Sequence, residues 1–259
     1  MSAVSLSRNG VVTTLTLDRP EARNALEPAM MIELRALVTA LAQDGTRVLV
    51  LTGAGDIFCA GADIDWMRRS AELTAEQNVA DAAVMRGLLE ALDACPLPIV
   101  ARVNGHALGG GSGLVAIADT AVCVSGARFG FTEARLGLIP ATISPYVLRK
   151  IGPGHAQALF TTGVRFGAER ALRIGLVQEV VEPDRLEHAV ADAILAYLEC
   201  GPAAIAETKR LLRDATAQLR LPDLPERLAA VRAGPEAQEG LAAFLEKRKP
   251  RWAPDSSAS

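Results

Sequence analysis

Two segments rich in small residues are where this sequence could do chemistry. The first is Phe58-Cys59-Ala60-Gly61-Ala62-Asp63-Ile64; the second is Asn104-Gly105-His106-Ala107-Leu108-Gly109-Gly110-Gly111. Each follows an apolar run of the kind that forms a buried strand. Small residues let backbone approach a ligand closely, and Asp63 is suited to cap the helix that follows it. Three consecutive glycines at a helix N-terminus free N–H groups to point outward, where the helix dipole favours an anion. Either loop alone reads as a tight turn. Side by side they could each give one N–H to a developing oxyanion, where losing a single donor typically costs about 10²–10³ in rate.

Other chemistries find no support. Gly53-Ala54-Gly55 follows a strand, but Phe58 occupies the third glycine position of a dinucleotide fingerprint. Gly110-Gly111-Ser112-Gly113-Leu114 lacks the last glycine of a nucleophile elbow, so Ser112 reads as the start of a helix. His106, His155 and His188 lie far apart, with no triad or metal spacing, and no metal is expected. Cys59, Cys95, Cys123 and Cys200 form no Cys-x-x-Cys pair and read as small core residues in a reducing compartment. Net charge is −3, and the basic clusters Lys209-Arg210 and Lys247-Arg248-Lys249 sit among acids, which excludes nucleic acid as the main partner. The first residues lack a basic and then apolar leader, and no apolar run approaches the roughly 18 residues that span a bilayer. A cytoplasmic protein without a membrane partner is expected.

The elements that must position these loops follow from the patterning. Residues 4–8 and 11–18 alternate around Asn9-Gly10, a hairpin signal. A helix is predicted over 28–43, then a continuous apolar strand over 47–52 of the doubly covered kind. An irregular stretch, 53–63, leads to a long helix over 74–92. Strands are predicted over 98–103, 121–124, 128–131 and 176–181, with a helix over 112–118. From about residue 184 the chain reads as helical, over 184–198, 202–219, 224–233 and 235–249, and the tail 254–259 as frayed. This is an α/β layout in which β-β-α units recur. With 259 residues, half of them hydrophobic, it can bury a substantial core.

At this point the chain resembles the crotonase (enoyl-CoA hydratase/isomerase) superfamily along nearly its whole length. The resemblance rests on Leu17-Asp18-Arg19-Pro20-Glu21-Ala22-Arg23-Asn24-Ala25-Leu26, the two loops, Phe129-Gly130-Phe131-Thr132-Glu133, Leu136-Gly137-Leu138-Ile139-Pro140 and Ala243-Phe244-Leu245-Glu246-Lys247-Arg248. It implies a spiral core of β-β-α units over 1–200 and a helical trimerisation region over 201–259, with trimers or hexamers. It implies an acyl-CoA substrate and no separate cofactor, coenzyme A being part of the substrate. By position, the oxyanion donors are the N–H groups of Ala62 and Gly110, and the catalytic base is Glu133. Ala22, Arg23, Ala60, Asp63 and Ile64 match stretches that hold the CoA moiety. Phe244 and Lys247 match positions that reach CoA from a neighbouring subunit.

One departure matters. Hydratases of this superfamily usually carry a second glutamate three residues beyond the second oxyanion donor, and here that position is Gly113. A single Glu133 could add water if it returns the proton it takes from water to C2. It could equally shuttle a proton between C4 and C2, which is isomerisation, and a non-catalytic acyl-CoA-binding homologue is a further alternative. Asp65-Trp66-Met67, residues 133–141, Ile143-Ser144-Pro145-Tyr146-Val147 and residues 244–248 resemble the branch of 3-methylglutaconyl-CoA hydratases of leucine breakdown. That resemblance implies hydration of a branched or carboxylated 2-enoyl-CoA, with Gly113 making room for the acyl chain and Trp66 and Met67 lining its pocket.

Overall fold

The chain opens as an antiparallel hairpin of β1 (Val4–Asn9) and β2 (Val12–Leu17) in the computed structural model, which describes residues 2–216 and 224–251. Asn9 pairs with Val12, so the turn is Gly10-Val11, one residue beyond the expected Asn9-Gly10. The register is fixed by the inward set Thr13, Leu15 and Leu17, all fully buried; a slip of one residue would turn them to solvent.

β2 then pairs in parallel with β3 (Val48–Gly53), followed in the sheet by β5 (Ile99–Val103), β7 (Thr120–Val124) and β10 (Glu179–Val181). All six residues of β3 are buried, as its unbroken apolar run predicts for a strand covered on both faces. A second, four-stranded sheet holds β4 (Ile57–Cys59), β6 (His106–Leu108), β8 (Arg128–Gly130) and β9 (Arg165–Gly167) in that order. Each of the pairs β3–β4, β5–β6 and β7–β8 places its first strand in the large sheet and its second in the small one. The next helix then carries the chain to the following pair, which is the expected β-β-α spiral. β4 falls inside the stretch expected to be irregular, because three residues are too few to show a periodicity. Asn104 fixes the corner between β5 and β6: its Nδ2 donates to the carbonyls of Gly53 (2.9 Å) and Gly55 (2.6 Å).

The helices surround this core. α1 (Pro28–Leu41) packs on α3 (Ala75–Ala94), which starts with a full capping box between Thr74 and Gln77. α2 (Ile64–Ser70) and α4 (Gly110–Ile117) follow the two loops singled out above, and α5 (Ser144–Thr162) bends at Gly152-Pro153. After α6 (Ala168–Arg173), α7 (Leu186–Leu198) packs across β3, β5 and β7.

α8 (Pro202–Ala215) is tied down by Lys209, whose Nζ donates to the Leu97 carbonyl (2.6 Å) and pairs with Asp119 (2.7 Å). Leu211 and Leu212 on it are exposed. The helix expected over 202–219 stops at Ala215, and residues 217–223 lie outside the described residues, as does the tail 254–259. α9 (Leu224–Arg232) packs on α3; α10 (Pro235–Leu245) packs on α2 and on the 3-10 turn Glu133–Leu136. The helix expected over 235–249 ends at Leu245, close before Lys247 takes φ 56°. No single helix among the described residues is long and apolar enough to cross a bilayer.

Candidate active site

A cavity of about 790 Å³ opens where α2, α3, α4, α9, α10 and the Glu133 turn converge. Its walls include Ala22, Arg23, Ala60, Ala62, Asp63, Ile64, Trp66, Met67, Gly110, Glu133 and Phe244, so the fold brings together sequence positions more than 200 residues apart. Two of the expected residues, Gly113 and Lys247, are not among its walls.

The two loops touch one another. A Cβ on Gly61 would sit 3.0 Å from the Leu108 carbonyl oxygen, and one on Gly109 would sit 3.8 Å from Gly61 Cα. Both glycines have positive φ, 97° and 50°, so backbone conformation favours glycine at both, and at Gly61 the close approach of the Leu108 carbonyl does so as well. The loop after β4 is also pinned to the stretch before α1. Leu26 N–H donates to the Gly61 carbonyl (2.7 Å) and Asp63 N–H to the Leu26 carbonyl (2.9 Å), a short parallel bridge that skips the N–H of Ala62. Gly110 is the first residue of α4, where helix geometry leaves N–H groups free. Neither of these N–H groups has a hydrogen-bond partner among the described residues.

Asp63 lines the cavity, but its carboxylate is committed to structure. Oδ1 accepts from the N–H groups of Asp65 (2.9 Å) and Trp66 (3.1 Å), capping α2, and Oδ2 pairs with Arg19 (3.0 Å). Burial opposes its ionisation; the Trp66 N–H, Arg19 and the Asp65 N–H together outweigh that and hold the carboxyl below its usual range. Arg19 also donates to the Ala25 carbonyl (2.9 Å), so one guanidinium joins the two strands of the bridge.

Glu133 begins the turn after β8. Its Oε1 lies 3.6 Å from where a Cβ on Gly109 would be, over the glycine loop, while Oε2 is fully enclosed with no hydrogen-bond partner. Burial, opposed only by the residue's own backbone N–H, pushes its carboxyl up to about 7. A carboxyl that divides between its two forms near neutral pH can take and return a proton. The enclosed, unpartnered oxygen is the kind of buried polar atom that marks a functional site. β8 and the glycine loop are held in register by Gly109 N–H donating to the Gly130 carbonyl (2.8 Å). Ser112 adds a second tie, its hydroxyl donating to the Ala107 carbonyl (2.6 Å) and accepting from Gly130 N–H (3.2 Å).

Gly113 corrects the sequence reading. It opens no space for an acyl chain: a Cβ there would lie 2.4 Å from Ile143 Cγ2, and it is Ile143 that reaches the cavity. The volume of the usual second carboxylate is taken by an isoleucine thirty positions further along the chain. Lys247 is exposed beyond the end of α10 and touches no part of the site within its own chain. Phe244 (43% exposed) and Ile64 (50% exposed) line the cavity with much of their side chains still open.

Sequence reasoning missed several wall residues. Met85, Thr142, Ile143 and Arg232 line the cavity, from α3, the segment before α5, and α9. Arg232 is 7% exposed, and its Nη1 donates to Asn78 Oδ1 (3.1 Å) and Asp81 Oδ2 (2.8 Å). Asp81 also accepts from Trp66 Nε1 (2.7 Å). No local signal distinguishes Arg232 from the other basic residues of the C-terminal helices. Among the described residues no group of three or more His, Cys, Asp or Glu is placed to hold a metal.

Residues 7–255 match the family model described as enoyl-CoA hydratase/isomerase. The chain is 34% identical to a crotonyl-CoA hydratase of Syntrophomonas wolfei, covering 95% of this chain and 96% of that one. It is likewise 34% identical to the mevalonyl-coenzyme A hydratase sidH of Aspergillus fumigatus, covering 94% and 92%. A solved enoyl-CoA hydratase from Mycobacterium avium superposes with a TM-score of 0.86 at 35% identity, over 98% of this chain and all of that one.

Proposed function

Because the chain belongs to the enoyl-CoA hydratase/isomerase family, of the crotonase superfamily, we propose that it hydrates a branched or carboxylated 2-enoyl-CoA thioester, or runs the reverse dehydration, with Glu133 as its one acid–base group. The N–H groups of Ala62 and Gly110 receive the thioester oxygen. Glu133, ionised, takes a proton from water; the water oxygen bonds to C3, and the C2–C3 π electrons move onto the thioester oxygen as an enolate. The enolate collapses as Glu133 returns the proton to C2, so one water is added and the carboxylate is regenerated. Delivery from one group places the proton and hydroxyl on the same face. Ala22, Arg23, Ala60 and Ile64 hold the CoA portion, Trp66 and Met67 the acyl portion, and Phe244 and Lys247 the CoA of an adjoining subunit in a trimer or hexamer.

The observation that carries this reading is Glu133: one oxygen over the glycine loop, the other enclosed without a partner, beside two unpartnered N–H groups. The hydratase names of both relatives support hydration over isomerisation. Ile143 in the place of a second carboxylate favours the isomerase as the second reading, since moving a proton from C4 to C2 needs one base only. A turnover assay separates them. Crotonyl-CoA, 3-methylglutaconyl-CoA and a 3-enoyl-CoA are each incubated with the protein and with Glu133→Ala, and products are read by mass and ultraviolet absorbance. Gain of one water on a 2-enoyl substrate, reduced at least about 10²-fold in the variant, is expected. A shifted double bond without mass gain would make the enzyme an isomerase, and near-full activity in the variant would remove Glu133 from the mechanism.

A further inference from the structure

Arg232 is a nearly buried cation in the wall of a largely apolar cavity, and the mechanism does not use it. The other arginines in the cavity wall, Arg23, Arg135 and Arg165, are exposed. Only one of its three nitrogens is engaged: among the described residues Nη1 alone makes hydrogen bonds, to Asn78 and Asp81. The guanidinium is held firmly in this pose. Asn78 is itself anchored by donating to the carbonyls of Leu73 (3.0 Å) and Thr74 (3.2 Å), and Asp81 by Trp66. Nε and Nη2 remain as donors of a planar fork, a geometry matched to the two oxygens of a carboxylate. Neither nitrogen is fully enclosed, so in the wall of the cavity both stay accessible to a ligand oxygen.

The position along α3 sets the length of ligand that reaches this fork. Met85 Cε lies 3.2 Å from where a Cβ on Gly110 would be, so Met85 marks the oxyanion end of the cavity. Asp81 and Asn78 precede it on the same helix, about 6 and 10 Å further along its axis at roughly 1.5 Å per residue. An extended acyl chain gains roughly 1.2 Å per bond, so C5 lies about 5 Å from the thioester carbon. A charge-assisted hydrogen bond adds about 2.8 Å, a reach of about 8 Å in all.

Resting on the hydratase reading, we propose that Arg232 is the specificity-determining residue of this site, binding a carboxylate on about the fifth carbon of the acyl chain through Nε and Nη2. The asymmetry is chemical: an unbranched four-carbon acyl group ends short of the fork and leaves it to water, whereas a five-carbon half-ester of a diacid meets it with both oxygens.

The test uses saturated CoA esters, so that it does not depend on turnover. Glutaryl-CoA and butyryl-CoA are titrated calorimetrically into the wild type, Arg232→Met and Arg232→Gln, the last keeping a polar side chain beside Asn78 and Asp81. The wild type is expected to bind glutaryl-CoA about 10- to 100-fold more tightly than butyryl-CoA, and both variants to lose that preference while holding butyryl-CoA within about threefold. Equal affinity of the two esters in the wild type overturns the proposal, and so does an equal loss for both esters in Arg232→Gln, which would make Arg232 a structural residue only. Crotonyl-CoA hydration is measured in parallel. If it persists while the preference is absent, the carboxylate site fails and the hydratase reading stands; if the preference is present without hydration of any enoyl-CoA, the reverse holds.

Discussion

Replacing Glu133 by Gln removes a charge from a place where burial makes charge expensive, so it is predicted to lower activity and raise stability above neutral pH. The carboxyl sits at about 7 in the folded chain against an ordinary 4.5, because its surroundings exclude water and only its own backbone N–H stabilises the anion. A folded-state value above the unfolded one means the folded chain holds the proton more tightly. The contribution of this group is therefore fully present below about pH 4.5, is lost as pH rises through about 7, and is constant above that. The gap between the two values corresponds to a ceiling of about 3 kcal/mol. Glu133 is half-buried as a residue, so water near Oε1 screens part of this, leaving on the order of 1–3 kcal/mol. Gln keeps the shape and never ionises. Denaturant unfolding of both proteins at a fixed chain concentration, from pH 4.5 to pH 8, isolates the effect because every other group cancels in the difference. The difference should move in favour of Glu133→Gln by that amount, all of it before about pH 7.5. A pH-independent difference, or one moving the other way, would refute the argument that this carboxyl is buried without a partner. In the same proteins, wild-type kcat/KM should fall about tenfold per pH unit below about 7 as the base becomes protonated, and Glu133→Gln should lose at least about 10² at pH 7 and above, the gap narrowing as pH falls.

Three further outcomes are expected. Gly113→Ala should destabilise by about 1–3 kcal/mol, because its Cβ would lie 2.4 Å from Ile143 Cγ2; Ile143→Ala, which removes that carbon, should cost less in the Gly113→Ala background than alone, so that a double-mutant cycle in thermal unfolding shows coupling. Gly61→Ala combines φ 97° with a contact 3.0 Å from the Leu108 carbonyl; it should displace the neighbouring Ala62 N–H and lower kcat by about 10², read in steady-state kinetics on crotonyl-CoA. Arg19→Met breaks the pairing with Asp63 and the bond to the Ala25 carbonyl, and should cost about 1–3 kcal/mol in denaturant midpoints, with the larger part lost on going from Asp63 paired to Asp63 alone.

Much of this protein was legible in its residues. The continuous apolar runs at β3 and β5 need only their own composition to be buried strands, and Thr74 and Gln77 carry the start of α3 within three residues. The two small-residue loops could be picked out as places of close backbone approach because glycine at a strand-to-helix junction is a local property of the chain. The three-residue strands β4, β6 and β9 had no such signal of their own; only their neighbours in the second sheet hold them extended. Tertiary structure alone decided what Gly113 means, since Ile143 arrives from a different segment to fill the space a longer side chain would have used. It alone placed Arg232 in the cavity wall, by folding α9 back on α3 so that Asn78 and Asp81 meet a helix 150 residues later. The raised carboxyl of Glu133 is likewise a product of assembly: a residue's type is written in the sequence, but the solvent it loses on folding is set by every element that closes over it.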